Sequence, residues 1–224
     1  MKSYLNAVRA VIWKDLTAEW RTRENLSAML VFALLVILIF NFALELDIQA
    51  QESLSAGVLW ATFIFAGTIG LNRSMAVEKD RGCLDGMLLA PVDRSVIYFG
   101  KAIGNLIFML LVEIIVLPVY SFLYQVPVFQ PGFLLVVLLG SIGYVAVGTL
   151  LATMVIQVRT RDILLPILLF PLTLPVIIAA VKASQGFLQM VPLNEISAWL
   201  NLLIVYDLIF TSVAFMVFDF VVEE

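Results

Sequence analysis

The chain has 224 residues, of which 62% are hydrophobic and 13% are charged, with a formal net charge of −4 and a mean hydropathy of +1.06. A soluble domain carries about a quarter charged residues, so this composition excludes a water-soluble globular enzyme. The sequence contains no histidine and one cysteine, which argues against His-based catalytic nucleophiles, His-ligated metal sites and disulfide frameworks.

Residues 1–26 are predicted to form an amphipathic helix at the membrane surface. Apolar side chains recur at three- and four-residue spacing, at Leu5, Val8, Ile12, Leu16 and Trp20. Tryptophan and basic side chains favour the boundary between lipid and water, where anionic head groups lie. We expect this helix to lie on the cytoplasmic leaflet, either as a simple anchor or beside a partner protein.

Residues 27–224 are predicted to form an all-α integral membrane domain with six transmembrane helices. A membrane-spanning helix needs roughly 20 predominantly apolar residues, and six runs meet this condition. They cover about 27–44, 54–72, 96–125, 133–157, 163–181 and 199–221. The segments between them are too short for a separate soluble domain.

The positions of the basic residues predict the orientation of this domain. Twelve of the thirteen Lys and Arg residues lie before the first span, around the connection between spans two and three, or between spans four and five. The opposite side carries only Lys182. Because cytoplasmic loops are enriched in Lys and Arg, both termini are expected in the cytoplasm.

The connection between spans two and three, residues 73–95, contains a charged cluster, a turn and a short apolar helix. Gly82 permits a change of chain direction after the charges, and Pro91 is expected to stop the helix. Asp93 or Ser95 can cap the start of span three. An apolar helix in the cytoplasm must be covered, either by the membrane surface or by a cytoplasmic partner.

Residues 78–91 read Glu-Lys-Asp-Arg-Gly-x-Leu-Asp-x-x-Leu-x-x-Pro and are followed by Gly100-Lys101. This pattern resembles the signature of type 2 ABC exporter permeases. Cys83 stands where Thr is common in that signature, and Asp85 stands where Glu is common. Both departures are conservative in size or charge. The resemblance implies a permease fold with six spans, in which residues 73–95 form a cytoplasmic coupling loop.

A narrower resemblance covers nearly the whole chain. It rests on Gly57-Val-Leu-Trp60, Leu71-Asn-Arg-Ser74, Leu89-Ala-Pro-Val-Asp-Arg94 and the proline-containing run 162–171. These motifs look like those of the B subunit of the haem exporter of cytochrome c maturation. The resemblance implies a multi-pass protein of the bacterial cytoplasmic (inner) membrane that takes part in haem export or in release of a haem-loaded periplasmic chaperone.

The same resemblance implies partners rather than a cofactor bound by this chain. The chain has no P-loop, since Gly100-Lys101 is followed by Ala102, so ATP must be hydrolysed by a separate ATPase subunit. The further expected partners are a second copy of the chain, a haem-handling membrane subunit and a periplasmic haem chaperone. We expect no catalytic residues, no metal ligands and no nucleic-acid partner. Haem is the candidate substrate of the complex, with its iron ligands on the partners.

The residues expected to contact the ATPase subunit fall into two groups. The first group makes interface ion pairs. The second contains the apolar contact of Leu84, Met87 and Leu88 together with the other signature residues around it. The ion-pair group is Glu78, Lys79, Asp80 and Arg81; the second group is Gly82, Leu84, Asp85, Met87, Leu88 and Pro91.

Several residues inside the spans also stand out. Glu113 and Asp207 are carboxylates near the middle of spans three and six, where they either line a path or make structural hydrogen bonds between helices. Pro166, Pro171 and Pro175 predict helix breaks in span five. Residues 182–197 are expected to form short re-entrant helices. Gly100-x-x-x-Gly104 and Ala66-x-x-x-Gly70 permit close helix packing, within one chain or between two copies.

Other functions remain open at this stage. A type 2 ABC permease could export a different substrate, such as a glycolipid, a polysaccharide or a drug. An intramembrane enzyme and a non-transporting scaffold are the remaining alternatives. The absence of histidine and of clustered carboxylates argues against the enzyme.

Overall fold

The computed structural model describes residues 2–44, 48–80, 82–89, 92–156, 158 and 160–221. Within these ranges the fold is entirely helical, which confirms the predicted all-α class. The eight helices found there are α1 Lys2–Thr22, α2 Glu24–Leu44, α3 Ile48–Asp80, α4 Cys83–Leu88, α5 Arg94–Tyr124, α6 Pro131–Val155, α7 Arg161–Leu188 and α8 Leu193–Val221.

Six of the described helices are long and apolar enough to cross a membrane, as predicted. They are α2, α3 and α5 to α8, and each corresponds to one predicted span. In the most apolar stretches of α3 and α6, 67% of residues are buried, against 17% in α2 and 22% in α8. The bundle therefore has α3 and α6 at its centre, with α2 and α8 facing outward.

A few buried hydrogen bonds connect the helices at the apolar centre of the bundle. The indole nitrogen of Trp60 on α3 donates to Ser184 Oγ on α7 at 2.9 Å. The Tyr144 hydroxyl on α6 donates to the Ile64 carbonyl on α3 at 2.8 Å. In the low dielectric of a membrane such satisfied hydrogen bonds fix which helices are neighbours.

The helix α1 runs beside the first half of α5 in the same direction. Tyr4 Oη lies 2.9 Å from Ser95 Oγ, and further along both helices Asp15 lies against Gly104. The side of α1 that faces α5 carries Val8, Asp15 and Glu19, which are buried. The helix is present as predicted, and Val8 of the predicted apolar stripe lies on this buried side.

The two ends of the predicted apolar stripe of α1 point away from the rest of the chain. Leu5 and Trp20 are exposed, and so is Trp13 beside them. The helix therefore has two different faces. Acidic side chains point inward, where cations can pair with them, and apolar side chains point outward. The outer face is available to lipid or to another molecule.

The turn from α1 to α2 uses one residue in the left-handed region. Arg23 has φ 55° and separates the two helices. The Glu19 carboxylate accepts from the Leu26 backbone N–H at 2.8 Å. An anionic acceptor satisfies a free N–H at the start of a helix and interacts favourably with its dipole. Glu19 thus joins the end of α1 to the start of α2.

The predicted loop over residues 73–95 is partly wrong, because its first eight residues continue α3 to Asp80. Polar side chains in this extension can remain helical since they find partners on neighbouring helices: Glu78 meets Lys101, and Lys79 meets the end of α6. Gly82, at φ 65°, then makes the predicted change of direction. The short helix α4 follows at once.

The predicted helix breaks at Pro166, Pro171 and Pro175 are also wrong, because α7 is a single helix through all three prolines. Each proline removes a backbone donor. Nearby hydroxyls bond carbonyls in the same stretch: Thr173 Oγ1 donates to the Leu169 carbonyl at 2.8 Å, and Tyr206 Oη donates to the Leu172 carbonyl at 2.9 Å. Neither carbonyl is one that a proline leaves without a donor, because those belong to residues 162, 167 and 171, four positions before each proline. The helix continues through the prolines where it packs against α6 and α8.

The short re-entrant helices expected over residues 182–197 do not form. Residues 182–188 complete α7, and α8 already begins at Leu193. The connection between the two helices is therefore only residues 189–192. Met190, at φ 53°, and the Val191 N–H, which bonds the Gly186 carbonyl at 2.9 Å, close the end of α7.

Asp93 caps the start of α5, as one of the two predicted candidates. Its carboxylate accepts from the Ser95 backbone N–H at 2.9 Å and from Ser95 Oγ at 2.7 Å. These hydrogen bonds from Ser95 hold the pKa of Asp93 below its usual value.

Replacing Asp93 with alanine should lower the free energy of unfolding by about 1 kcal/mol, because the N-cap acceptor is lost. Asp93→Asn should retain most of the stability, since asparagine caps equally well. Thermal unfolding of the detergent-solubilised chain distinguishes the two variants. Equal losses in both would contradict a capping role.

Candidate functional site

Four charged side chains meet where α1, α3 and α5 come together. They are Lys14 and Asp15 on α1, Glu78 on α3 and Lys101 on α5, and we call them the ion network. Lys101 Nζ lies 2.5 Å from Glu78 Oε1 and 2.8 Å from Asp15 Oδ2. Lys14 Nζ lies 2.5 Å from Glu78 Oε1 and 3.3 Å from Asp15 Oδ1. Two cations and two anions thus balance each other.

Burial makes this network costly to break. The Lys101 side chain is only 2% exposed, and an unpaired ammonium at that depth would lose its hydration without compensation. Burial alone would lower the pKa of Lys14, but the hydrogen bond to Glu78 and the charges of Asp15 and Glu78 raise it above the ordinary value. Lys14 therefore stays charged at neutral pH.

A small polar cavity of about 70 Å³ adjoins the network. Asp15, Asn25, Glu78 and Lys101 are among its lining residues. Two buried acceptor atoms at this cavity, Asn25 Oδ1 and Glu78 Oε2, have no hydrogen-bond partner within the described part of the chain. A polar cavity of this size has room for ordered water that satisfies both atoms.

The expected ion-pair residues at the end of α3 have partners inside the chain. Glu78 belongs to the ion network. Lys79 Nζ donates to the Ile156 carbonyl at 2.8 Å, where α6 ends. Asp80 Oδ1 lies 3.5 Å from Arg161 at the start of α7. The end of α3 is thereby connected to α1, α5, α6 and α7 at once.

These contacts differ greatly in strength. The pair between Asp80 and Arg161 is exposed, with 66% of the Asp80 side chain accessible, and such pairs are worth about 0–1 kcal/mol. Removing one partner from a buried pair costs about 3–5 kcal/mol. At the Asp80 end, α3 is therefore held more firmly to α1 and α5 than to Arg161 of α7, whereas further along α3 packs against α7 and Trp60 donates to Ser184.

The remaining expected contact residues are only partly described. Arg81 and Pro91 lie outside the described residues, as do the side chains of Leu84, Asp85 and Leu88. Met87 is partly buried and packs inward, with its sulfur 3.7 Å from Lys14 Nζ. Met87 thus connects α4 to the ion network.

Leu89 is a strongly exposed apolar side chain in the described part of this segment. It follows α4 directly and is 86% exposed. It was not among the expected contact residues, although it continues the apolar pattern of residues 84–88. Single exposed apolar residues are common on protein surfaces, so its place close to the charged end of α3 is what makes Leu89 a candidate contact.

Sequence reasoning also missed three of the four members of the ion network. Lys101 was recognised only as a basic residue at the start of span three, and Asp15 only as part of an amphipathic helix. Two signals could have found the network. A lysine inside an apolar run requires a counter-ion, and Asp15 and Glu19 lie four residues apart, on one side of α1.

The carboxylates inside the spans are kept apart by α6. Ser141 on α6 donates to Glu113 Oε1 at 2.5 Å. The Asp207 carboxylate lies against Gly143, two residues further along α6 and about 200° around it. Within the described residues, Glu113 Oε2 and both Asp207 oxygens have no hydrogen-bond partner. A shared site of the two carboxylates is not formed in this arrangement.

The small-residue motifs are used for packing within one chain. Gly100 and Gly104 face Val11 and Asp15 of α1, and Gly70 faces Met29 of α2. Close approach at Gly104 is what brings Asp15 within reach of Lys101. Among the described residues, no group of three or more Cys, Asp or Glu side chains is placed to hold a metal ion.

Comparison with known proteins gives one family and several relatives. A sequence model of the family described as "CcmB protein" matches residues 6–222. The Heme exporter protein B of Pseudomonas aeruginosa is 25% identical over 210 residues, which cover 93% of this chain and 94% of the relative.

Two further relatives carry the same name. The Rhodobacter capsulatus protein is 25% identical over 193 residues, covering 83% of this chain and 88% of the relative. The Bradyrhizobium diazoefficiens protein is 24% identical over 183 residues, covering 81% and 82% respectively. In both cases the match extends over most of the membrane-spanning helices.

Proposed function

Because the chain belongs to the CcmB protein family, we propose that it is the membrane-spanning permease subunit of an ABC transporter complex for c-type cytochrome biogenesis. A separate subunit hydrolyses ATP, and the complex exports haem or releases a haem-loaded periplasmic chaperone. The names of the relatives, Heme exporter protein B, support haem as the substrate of the complex. This chain itself is non-catalytic and supplies no histidine ligand to haem iron.

The observation that carries this proposal is the exposed Leu89 beside a firmly held helix end. Residues 78–91 form the coupling segment, which begins in the ion network and reaches Leu89 by way of α4. A partner that binds Leu89 and the exposed Asp80 therefore acts on a short segment that the ion network attaches to α1, α3 and α5. Arg81 and the side chains of Leu84, Asp85 and Leu88 are proposed to complete this contact.

The relative strengths of the contacts suggest how movement is passed on. When two ATPase subunits close on ATP, the coupling segment is displaced. The ion network holds α1, α3 and α5 together during this movement, while the exposed pair between Asp80 and Arg161 separates at little cost. The ends of the three linked helices near the ion network then shift relative to Arg161 at the start of α7, while the Trp60–Ser184 hydrogen bond keeps α3 and α7 together further along. Gly82 and the carboxylates Glu113 and Asp207 are proposed to serve this rearrangement.

The surroundings of the chain follow from the same proposal. The protein lies in the bacterial inner membrane with both termini in the cytoplasm, which the distribution of Lys and Arg supports. Six spans favour a complex that contains a second copy of the chain. A haem-handling membrane subunit and a periplasmic haem chaperone are the further proposed partners, with the haem ligands on their side.

Leu89→Glu tests the docking of the ATPase subunit. An acidic side chain at the centre of an apolar contact must be desolvated, so co-purification of the ATPase from native membranes should fall at least tenfold, the equivalent of about 1.4 kcal/mol. The matched control is Met190→Glu, the same kind of apolar-to-acidic change at an exposed side chain. Met190 follows the end of α7 that is remote from Arg161. It should leave the ATPase bound.

Unchanged recovery of the ATPase with Leu89→Glu would contradict docking on this segment. Thermal unfolding of both variants checks that the bundle is intact, since neither side chain is buried. Wild-type complex that contains the ATPase but neither haem nor a haem chaperone would leave the ABC permease assignment standing and contradict the proposed substrate.

A further inference from the structure

An apolar groove of about 480 Å³ opens between α1, α2 and α5. Its lining residues include Trp13, Trp20 and Arg21 from α1, Leu26 from α2, and Phe108 and Leu111 from α5. We propose that this groove binds one anionic phospholipid, with an acyl chain between the helices and the phosphate at Arg21. The site is separate from the coupling segment and does not depend on an ATPase.

The apolar part of the groove is built for a hydrocarbon chain. Phe108 forms a buried floor, while Leu26 and the exposed Leu111 belong to membrane-spanning helices. The groove is therefore continuous with the side of α2 and α5 that faces lipid. Trp13 and Trp20 are 68% and 75% exposed and border the opening. Tryptophan is favoured at the height of the lipid head groups, which places the head of a bound lipid beside α1.

The charge at the rim selects the type of head group. Arg21 is exposed and makes no ion pair with any residue that the structure describes. Glu19 also lines the groove, but its carboxylate is buried and directed toward the start of α2, where it accepts from the Leu26 backbone N–H at 2.8 Å. A guanidinium binds phosphate oxygens in a two-pronged geometry. An unpaired arginine above an apolar groove thus matches an anionic phospholipid better than a zwitterionic one.

A lipid fits this groove better than a protein segment. The walls come from α1 and from two membrane spans, and the part lined by the spans is open to acyl chains before any partner arrives. A second polypeptide would have to displace lipid from this part and also bring an acidic residue to Arg21. An anionic phospholipid supplies both the chain in the interior and the phosphate at the interface.

Brominated lipids test the proposal, because bromine on an acyl chain quenches nearby tryptophan fluorescence. The full-length chain is reconstituted in phosphatidylcholine vesicles that contain a small fraction of brominated phosphatidylglycerol or, in parallel, brominated phosphatidylcholine. We expect quenching by the anionic lipid at about fivefold lower mole fraction, the preference that one basic residue near the surface supplies. Trp13→Phe/Trp20→Phe should abolish this selective quenching.

The matched pair Arg21→Gln and Arg9→Gln separates a site from general surface charge. Both arginines are exposed on α1 and both changes remove one positive charge, but only Arg21 lines the groove. Selectivity lost with Arg21→Gln and kept with Arg9→Gln supports the site. Equal quenching by the two lipids in the unmodified chain, or equal loss of selectivity in both variants, would overturn it.

Discussion

Replacing Lys101 with methionine should lower the free energy of unfolding of the chain by about 3–5 kcal/mol, the cost of leaving buried charges without their partner. Lys101 is the only network member that contacts carboxylates on both α1 and α3 and is itself almost fully buried among the described residues. Its loss leaves Asp15 and Glu78 facing each other with Lys14 alone, whose side chain is 38% exposed. Thermal and denaturant unfolding in detergent measure the effect.

Two further variants make this result specific. Arg161→Met removes a cation from an exposed pair and should cost no more than about 1 kcal/mol. The triple variant Asp15→Leu/Glu78→Leu/Lys101→Met replaces the buried charges by apolar side chains and should recover most of the loss. A loss below about 1 kcal/mol in Lys101→Met would show that the network does not hold the three helices together.

Gly100→Ala should destabilise the chain by about 1–3 kcal/mol, the usual cost of overpacking a closely packed contact. A Cβ at this position would lie 2.6 Å from both Cβ and Cγ1 of Val11 on α1. Since neither atom lies at the end of a flexible side chain, α1 must move away from α5. That movement also draws Asp15 away from Lys101. Under the proposed function, the ATPase activity of the assembled complex should then become uncoupled from haem export or chaperone release.

The control for this variant is another helical glycine in the same chain. A Cβ on Gly57 in α3 would meet nothing within 4 Å. Gly57→Ala should therefore stabilise the chain by about 0.5–1 kcal/mol, because alanine loses less backbone entropy in a helix. Opposite signs for the two variants in thermal unfolding support the tight α1–α5 contact. A gain in stability for both would contradict it.

The membrane-spanning part of the fold could be predicted well from the sequence. Long apolar runs such as 27–44 correspond to helices because a membrane leaves the backbone no other way to satisfy its hydrogen bonds. The turn at Gly82 and the cap at Asp93 were also predictable, since both depend on local backbone chemistry. These features require no knowledge of which helices are neighbours.

Features that depend on neighbouring helices were harder to predict. The end of α3 looked like a loop because residues 78–80 are all charged, yet Lys101 and the carbonyl of Ile156 supply partners that keep it helical. The burial of Asp15 on α1 was not predicted for the same reason. Asp15 is buried only because Lys101 lies opposite, and that pairing joins residues 86 positions apart.

The prolines of α7 show a second limit of sequence patterns. A proline inside a helix removes a hydrogen bond, and three of them predict interruption. In the bundle α7 nevertheless continues, packed against α6 and α8, and Tyr206 of α8 donates to the Leu172 carbonyl. The sequence pattern shows where backbone hydrogen bonds are missing but not the neighbouring helices against which α7 packs.

The most direct test of the account is a photo-crosslinking side chain placed at position 89 in native membranes. The proposed function predicts a crosslink between Leu89 and a separate ATP-binding polypeptide on the cytoplasmic side, and none from a matched probe at Met190. A probe at position 89 that reacts only with lipid would contradict the role of the coupling segment. Labelling of that probe from the periplasm would contradict the orientation of the chain as well.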